Sequence, residues 1–131
     1  IKKIGANEVV SRESDLIKKL GKNKYDVVID LVAGENWNQL IEILKPGGRY
    51  ATSGAIAGPI VSLDVRTLYL KDLTFYGCTY QTIEVFKDLI RYIEKGQIKP
   101  LVAKTYNLKE IKKAQEDFLL KKHIGKLVLL I

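Results

Sequence analysis

The sequence predicts an α/β protein with a mainly parallel sheet and flanking helices, and three observations carry that prediction. Tyr25 to Val32 reads YDVVIDLV, a nearly continuous apolar run, which marks a strand buried on both faces. A helical pattern follows, with Trp37, Leu40, Ile41 and Leu44 at i, i+3, i+4 and i+7. A second buried strand, Arg49 to Ser53, comes next. Strand, helix and strand thus fall within about 30 residues, the span of a βαβ unit with its right-handed crossover.

The remaining elements follow in chain order. Glu8 to Ser11, preceded by Gly5, reads as a short strand. Ser14 and Asp15 offer helix-start chemistry ahead of Leu16, Ile17 and Leu20, and Gly21 stops that helix. The Trp37 helix ends before Pro46-Gly47-Gly48, where proline cannot continue it and the glycines permit a sharp turn. Gly54 to Pro59 is a loop of small residues, Asp64 to Leu70 a short helix, and Leu73 to Cys78 a third strand. Thr82 to Lys95 forms a long amphipathic helix with Phe86, Leu89, Ile90 and Ile93 on one face, stopped by Gly96. Leu101 to Thr105 is a strand. Asn107 caps a helix carrying Leu108, Ile111, Ala114 and Phe118, and Lys126 to Ile131 closes the chain as a strand.

With 131 residues there is room for one domain with one core, and 47% hydrophobic and 28% charged residues are ordinary for a globular protein. No run of about 18 apolar residues suits a membrane helix, and the N-terminus shows no apolar signal region. Cys78 is the lone cysteine and has no internal disulfide partner, so a cytoplasmic protein is expected. The net charge of +7 raises the question of nucleic acid. However, the lysines, among them Lys109, Lys112, Lys113, Lys121 and Lys122, scatter over several helices without interleaved aromatics, so no nucleic-acid partner is expected. The chain opens on Ile1, a helix-like end followed by Gly5, which suggests a cut through a larger protein.

In an open parallel sheet, ligands bind beyond the carboxyl ends of the strands. That rule selects Val32-Ala33-Gly34, Ser53-Gly54-Ala55 and Gly77-Cys78-Thr79, three small-residue segments at matching topological positions. Such residues let backbone groups approach a flat ligand, although each segment alone is also ordinary turn chemistry. Other candidates are weaker. His123, the single histidine, reads as a surface residue near a helix end. Asp30 is a candidate ribose contact, but no G-x-G-x-x-G lies about 20 residues upstream of it. Ser53 lacks a G-x-S-x-G frame, and Tyr69, Tyr76 and Tyr80 are expected to pack around the third strand. No residue makes a convincing general acid or base.

The ordered set IGANEVVS (4–11), YDVVIDLVAG (25–34), LKPGGRYATSGAIAG (44–58), RTLYLKDLTFYGCT (66–79), IEKGQIKPLVAKTYNL (93–108) and HIGKLVLLI (123–131) resembles the medium-chain dehydrogenase/reductase family. Within it, the set is similar to the zinc-type alcohol dehydrogenase and quinone oxidoreductase branch, across essentially the whole chain. The resemblance implies a partial Rossmann-like fold. It makes residues 1–131 the C-terminal portion of a nicotinamide-cofactor-binding domain in an oxidoreductase that transfers hydride. Ser53, Gly54, Ala55, Gly77, Cys78 and Thr79 would border the nicotinamide half of NADPH or NADH, with NADPH favoured. Val32, Ala33 and Gly34 would lie near the adenosine and pyrophosphate, and Lys126 near the cofactor-facing end. The strand at Leu73 to Cys78 resembles the edge through which family members pair into homodimers, in keeping with the need of an apolar edge for a partner.

The family's glycine-rich phosphate loop and substrate domain have no counterpart in these residues, so neither zinc ligands nor a substrate can be carried over to any position. A piece of this kind is expected to be inactive alone, and either to rearrange and self-associate or to depend on segments supplied elsewhere. Two other readings stand beside this one. A class I methyltransferase also uses text like DVVIDLVAG before a PGG turn, and a non-catalytic dimerisation module would need only the strand at Leu73 to Cys78.

Overall fold

The computed structural model describes residues 2–131, which form two compact units, one running to Tyr80 and one from Gln81 to Ile131. The hydrophobic core cluster lies in the first of them. Each unit has its own sheet, and every ladder closes within its unit.

The first unit contains α1 (Leu16–Leu20), β1 (Tyr25–Asp30), α2 (Trp37–Glu42), β2 (Leu44–Thr52), α3 (Val65–Leu70) and β3 (Thr74–Gly77). Its strands pair in parallel in the order β1-β2-β3, as the apolar runs and the βαβ spacing predict. Asp15 caps α1 by accepting from the Lys18 amide at 3.0 Å, and Gly21 ends the helix at φ +79°, a conformation that favours glycine. The register places Val28, Tyr50 and Phe75 in one row across the sheet, and Ile29, Ala51 and Tyr76 in a row on the other face. The first row faces α2. Val28 and Tyr50 join Trp37, Ile41, Ile43 and Leu44 in the core, with Ile41 and Leu44 almost wholly buried.

Two expectations are corrected in this unit. Glu8 to Ser11 makes no strand; Ser11 instead bonds the Glu13 carboxylate with its hydroxyl, and its carbonyl accepts from the Ser14 amide at 3.1 Å. Such local bonds compete with pairing in a ladder. Leu44, read as the last residue of the Trp37 helix, opens β2. There Tyr25 pairs with Leu44 and Val27 with Arg49, so Pro46-Gly47-Gly48 bulges within the strand opposite Asp26. Gly47 has φ +74° at that bulge, and its amide donates to the Lys71 carbonyl at 2.7 Å.

The same Lys71 terminates α2. Its ammonium donates to the carbonyls of Ile41 (3.3 Å) and Glu42 (3.0 Å) at the end of the helix and of Leu44 (3.1 Å) at the start of β2. Burial pushes its pKa below the ordinary lysine value, partly countered by Glu42. Because the group is part-buried and charged, Lys71→Met is expected to cost about 1.5–3 kcal/mol, read as a lower urea midpoint.

The second unit contains α4 (Ile83–Glu94), β4 (Val102–Asn107), α5 (Ile111–Leu120) and β5 (Lys126–Leu130), with β4 and β5 parallel. Asn107 begins the crossover as predicted, through a capping box with Glu110, although a single 3-10 turn over Leu108–Glu110 precedes α5. Tyr106 and Ala114 are buried. The Tyr106 hydroxyl donates to Asp117 at 2.5 Å, and the Lys104 ammonium donates to the same oxygen at 2.9 Å. Among the described residues no helix is long and apolar enough to cross a membrane.

Candidate functional site at the carboxyl ends of three strands

The three segments selected by topology all lie in the first unit, at the carboxyl ends of adjacent strands. Backbone bonds lace them together. The Ser53 amide donates to the Asp30 carbonyl at 3.1 Å, Cys78 to Thr52 at 2.8 Å, Ala57 to Val32 at 2.9 Å and Gly34 to Gly58 at 3.2 Å. Val32, Ala33, Gly34, Ser53, Gly54, Ala55, Gly77, Cys78 and Thr79 therefore share one end of one sheet. Lys126 belongs to the second unit, where it opens β5 and its amide donates to Leu101 at 2.7 Å.

The glycines in this cluster have different reasons to be there. A Cβ on Gly54 would stand 2.7 Å from the Leu31 carbonyl oxygen, so the β2 loop can approach the end of β1 only without a side chain. Gly34 has φ +86°, and a Cβ there would meet that of Ala57 at 2.9 Å. Packing within the chain accounts for both. Gly77 differs: a Cβ there would project into open space. Its neighbour Cys78 is exposed.

Two clefts flank this edge, and Ala33 lines both. The larger, about 590 Å³, has apolar walls from Val10, Leu16, Ile29, Leu31 and Leu40, with Arg12 and Glu35 as its charged residues besides Asp30. The smaller, about 320 Å³, lies among Trp37, Tyr50, Ala55, Phe75 and Gly77. The larger cleft was not legible in the sequence, since Val10 and Arg12 carry no motif and meet β1 only through the fold.

Asp30 occupies a place the ribose suggestion does not describe. Its residue is 5% exposed, and its carboxylate turns into the protein. It accepts from the amides of Val32 (2.8 Å) and Ala33 (3.0 Å) and from the Tyr50 hydroxyl (2.7 Å). Tyr50 in turn accepts from the Trp37 indole at 2.6 Å. Burial raises the pKa of Asp30, but these bonds from Ala33, Tyr50 and Val32 more than offset it and hold the carboxyl below the usual range. Burial and the bond to Asp30 push the Tyr50 phenol up. Because the Val32 and Ala33 amides serve Asp30 and that of Gly34 serves Gly58, this turn has no amide to spare for a phosphate. It offers a ligand side-chain surface instead.

The other candidates are dispersed. His123 is half-buried in the second unit, 6.0 Å from Phe118 between ring centroids, beside a small cleft of about 270 Å³ shared with Lys104, Tyr106 and Asp117. Tyr69, Tyr76 and Tyr80, expected to pack, are 59%, 49% and 91% exposed. Among the described residues no three His, Cys, Asp or Glu side chains gather as a metal site, so the residues present do not fit a zinc ion.

A parallel sheet with small-residue segments and clefts at its carboxyl edge belongs to the open α/β class, whose ligands bind at that edge. Within that class the chain belongs to the zinc-binding dehydrogenase family, whose model matches residues 4–129, the medium-chain dehydrogenases and reductases that the sequence resembles. Mouse quinone oxidoreductase is 31% identical over 97% of this chain and 42% of its own length. Among solved structures, a Sinorhizobium meliloti 1021 protein assigned as an alcohol dehydrogenase is 46% identical with a TM-score of 0.82, matching 98% of this chain and 37% of that one. A cobalt- and zinc-bound thermostable alcohol dehydrogenase from Pyrobaculum aerophilum is 32% identical with a TM-score of 0.77, over 99% and 38%. The chain thus spans about two fifths of the length of these relatives. They favour the dehydrogenase reading over the methyltransferase and assembly-module readings.

Proposed function

We propose that this chain is the C-terminal portion of the NAD(P)H-binding domain of a cytoplasmic oxidoreductase, with the cofactor lying across the carboxyl ends of β1, β2 and β3. The observation that carries the proposal is the alignment of three small-residue segments at adjacent strand ends, flanked by two clefts that meet at Ala33. The adenosine end takes the larger, apolar-walled cleft against Val32 and Ala33. Arg12, the cation among its lining residues, supports NADPH over NADH, because a guanidinium favours an additional phosphate. The nicotinamide end lies toward Ser53-Gly54-Ala55 and Gly77-Cys78-Thr79, where small residues let a flat ring approach. The bound cofactor supplies hydride; the chain's own residues orient it and keep water from one side. The homodimer forms through β3, which stands at a sheet edge and carries the half-exposed Tyr76.

Titration of the chain with NADPH and NADH, followed by Trp37 and tyrosine emission, tests the proposal. Saturable binding is expected, tighter for NADPH. Gly77→Ala, whose new methyl meets no protein atom, should leave the melting temperature unchanged and weaken NADPH about tenfold, equivalent to roughly 1.4 kcal/mol. No binding up to millimolar cofactor would sink the assignment of a working cofactor site.

A further inference from the structure

We infer that Asp30 is the positioning residue of this crevice: its buried carboxylate, tied through Tyr50 to Trp37, fixes the Val32-Ala33 wall against which the adenosine end of the cofactor lies. The inference rests on the cofactor reading above and adds to it a residue that does not itself meet the ligand.

The turn after β1 is costly to hold. Ala33 has φ +52° and Gly34 φ +86°, and the first of these is unfavourable for a residue with a side chain. A turn with successive amides aimed into one concavity would be a ready anion site. Here the chain supplies the anion itself. One oxygen of Asp30 accepts from Val32 at 2.8 Å and Ala33 at 3.0 Å, and the other accepts from Ala33 at 3.2 Å and from the Tyr50 hydroxyl at 2.7 Å. With its amides drawn inward, the turn presents Val32 and Ala33 outward, and both line the larger cleft.

The anchoring end of the relay is stiff. Trp37 and Tyr50 are buried, their rings meet edge to face at 5.5 Å, and the indole donates to the tyrosine oxygen. Tyr50 belongs to the central strand of the sheet, so the carboxylate is referenced to β2 as well as to its own strand. Among the described residues, Asp30 is the side chain that bonds the amides of this turn. Of the backbone fastenings, the Trp37 amide holds the Gly34 carbonyl at 3.1 Å, beyond the Val32-Ala33 wall, while Ala57 to Val32 and Gly34 to Gly58 run to a loop whose Ala55, Ile56 and Ala57 are exposed. Removing the carboxylate frees two amides to turn outward to water, and the wall moves with them.

The test is NADPH titration of the chain and two variants, read by the cofactor's own emission so that changes at Trp37 do not interfere. Asp30→Ala should weaken NADPH at least about tenfold. Asp30→Asn keeps an oxygen for the turn amides and should stay within about threefold of the parent, well under 1 kcal/mol. Both variants should melt at lower temperature, since both lose the carboxylate that Tyr50 donates to. A purely structural role would make affinity follow melting temperature in both, whereas a positioning role separates them. If Asp30→Ala does not fold, Asp30→Leu combined with Tyr50→Phe fills the space and removes the Tyr50 hydroxyl that Asp30→Ala leaves without its acceptor, and carries the same expected loss. Hydrogen exchange at the Val32 and Ala33 amides should accelerate in whichever alanine or leucine variant folds. Full affinity in that variant overturns the inference and leaves the cofactor reading intact. Failure of the parent chain to bind NADPH overturns both.

Discussion

Trp37→Ala will lower the stability of the first unit by about 3–5 kcal/mol, the range for removing a large buried aromatic ring. Trp37 is 6% exposed and opens α2, where it and Ile41 join the helix to the sheet. Its ring meets Tyr50 at 5.5 Å and 84°, and Phe75 at 6.0 Å and 86°, edge-to-face pairs each worth about 0.5–1.5 kcal/mol beyond the area they bury. Truncation leaves a cavity beneath the middle of the sheet. The hydrogen bond is the smaller part of the loss, because Tyr50 still donates to Asp30 when the indole is gone. Trp37→Phe, which keeps most of the ring, should accordingly cost less than half as much as Trp37→Ala. Against a domain stability of about 5–15 kcal/mol, the alanine variant will populate unfolded forms under mild denaturant. Urea titrations followed by far-ultraviolet circular dichroism measure the difference without relying on the missing fluorophore. Tyr80→Ala is the control: that side chain is 91% exposed and its loss should shift stability by no more than about 0.5 kcal/mol. A cost below about 1 kcal/mol for Trp37→Ala would mean that the Trp37 cluster is not the core of this unit.

The same residues show how far the sequence can be read. The buried strand YDVVIDLV and the helix at Trp37 were legible because period and composition are local properties; both elements form and begin where the pattern puts them, β1 ending at Asp30 and α2 at Glu42, short of the predicted Val32 and Leu44. Caps were legible for the same reason: Asp15 and Asn107 act within a few residues of themselves, whereas Asp64, read as the first helical residue, is the cap of α3. Leu44 was misplaced because an apolar residue at i+7 satisfies a helix and a buried strand equally, and only its pairing with Tyr25 decides. The ends of the three strands were found by topology, which needs strand order and no side-chain detail. What remained hidden was tertiary. Arg12 and Val10 reach the larger cleft from a segment with no regular structure, and Asp30 turns inward only because Tyr50 waits on the next strand. An aspartate two residues before an amide it can accept does carry a local signal for a side-chain-held turn, and that signal pointed to this role more directly than the ribose did.

Lowering the pH will destabilise the first unit, with Asp30 as the buried source of the effect. Its folded pKa lies below the ordinary value, whereas in the unfolded chain it titrates near about 3.9. The unfolded state therefore takes up a proton first as pH falls. The stabilisation is complete above the unfolded value, at neutral pH, and is lost progressively as pH drops through about 5 toward the folded value. The titratable group facing the carboxylate is Tyr50, whose raised pKa keeps it protonated over this whole range, so the change belongs to Asp30. No ion pair involves Asp30 among the described residues; neutral amides and a hydroxyl stabilise it. That distinguishes it from exposed pairs such as Lys45–Asp26 at 2.9 Å and Lys104–Asp117 at 2.9 Å, whose small contributions salt screens. Urea midpoints between pH 7 and pH 3, at low and at molar salt, separate the two sources. The part of the pH dependence that persists in molar salt should disappear in Asp30→Asn, which cannot ionise. If Asp30→Asn keeps the full acid sensitivity of the parent, the carboxylate is not buried and bonded in the manner described, and the turn after β1 must be held by its backbone alone.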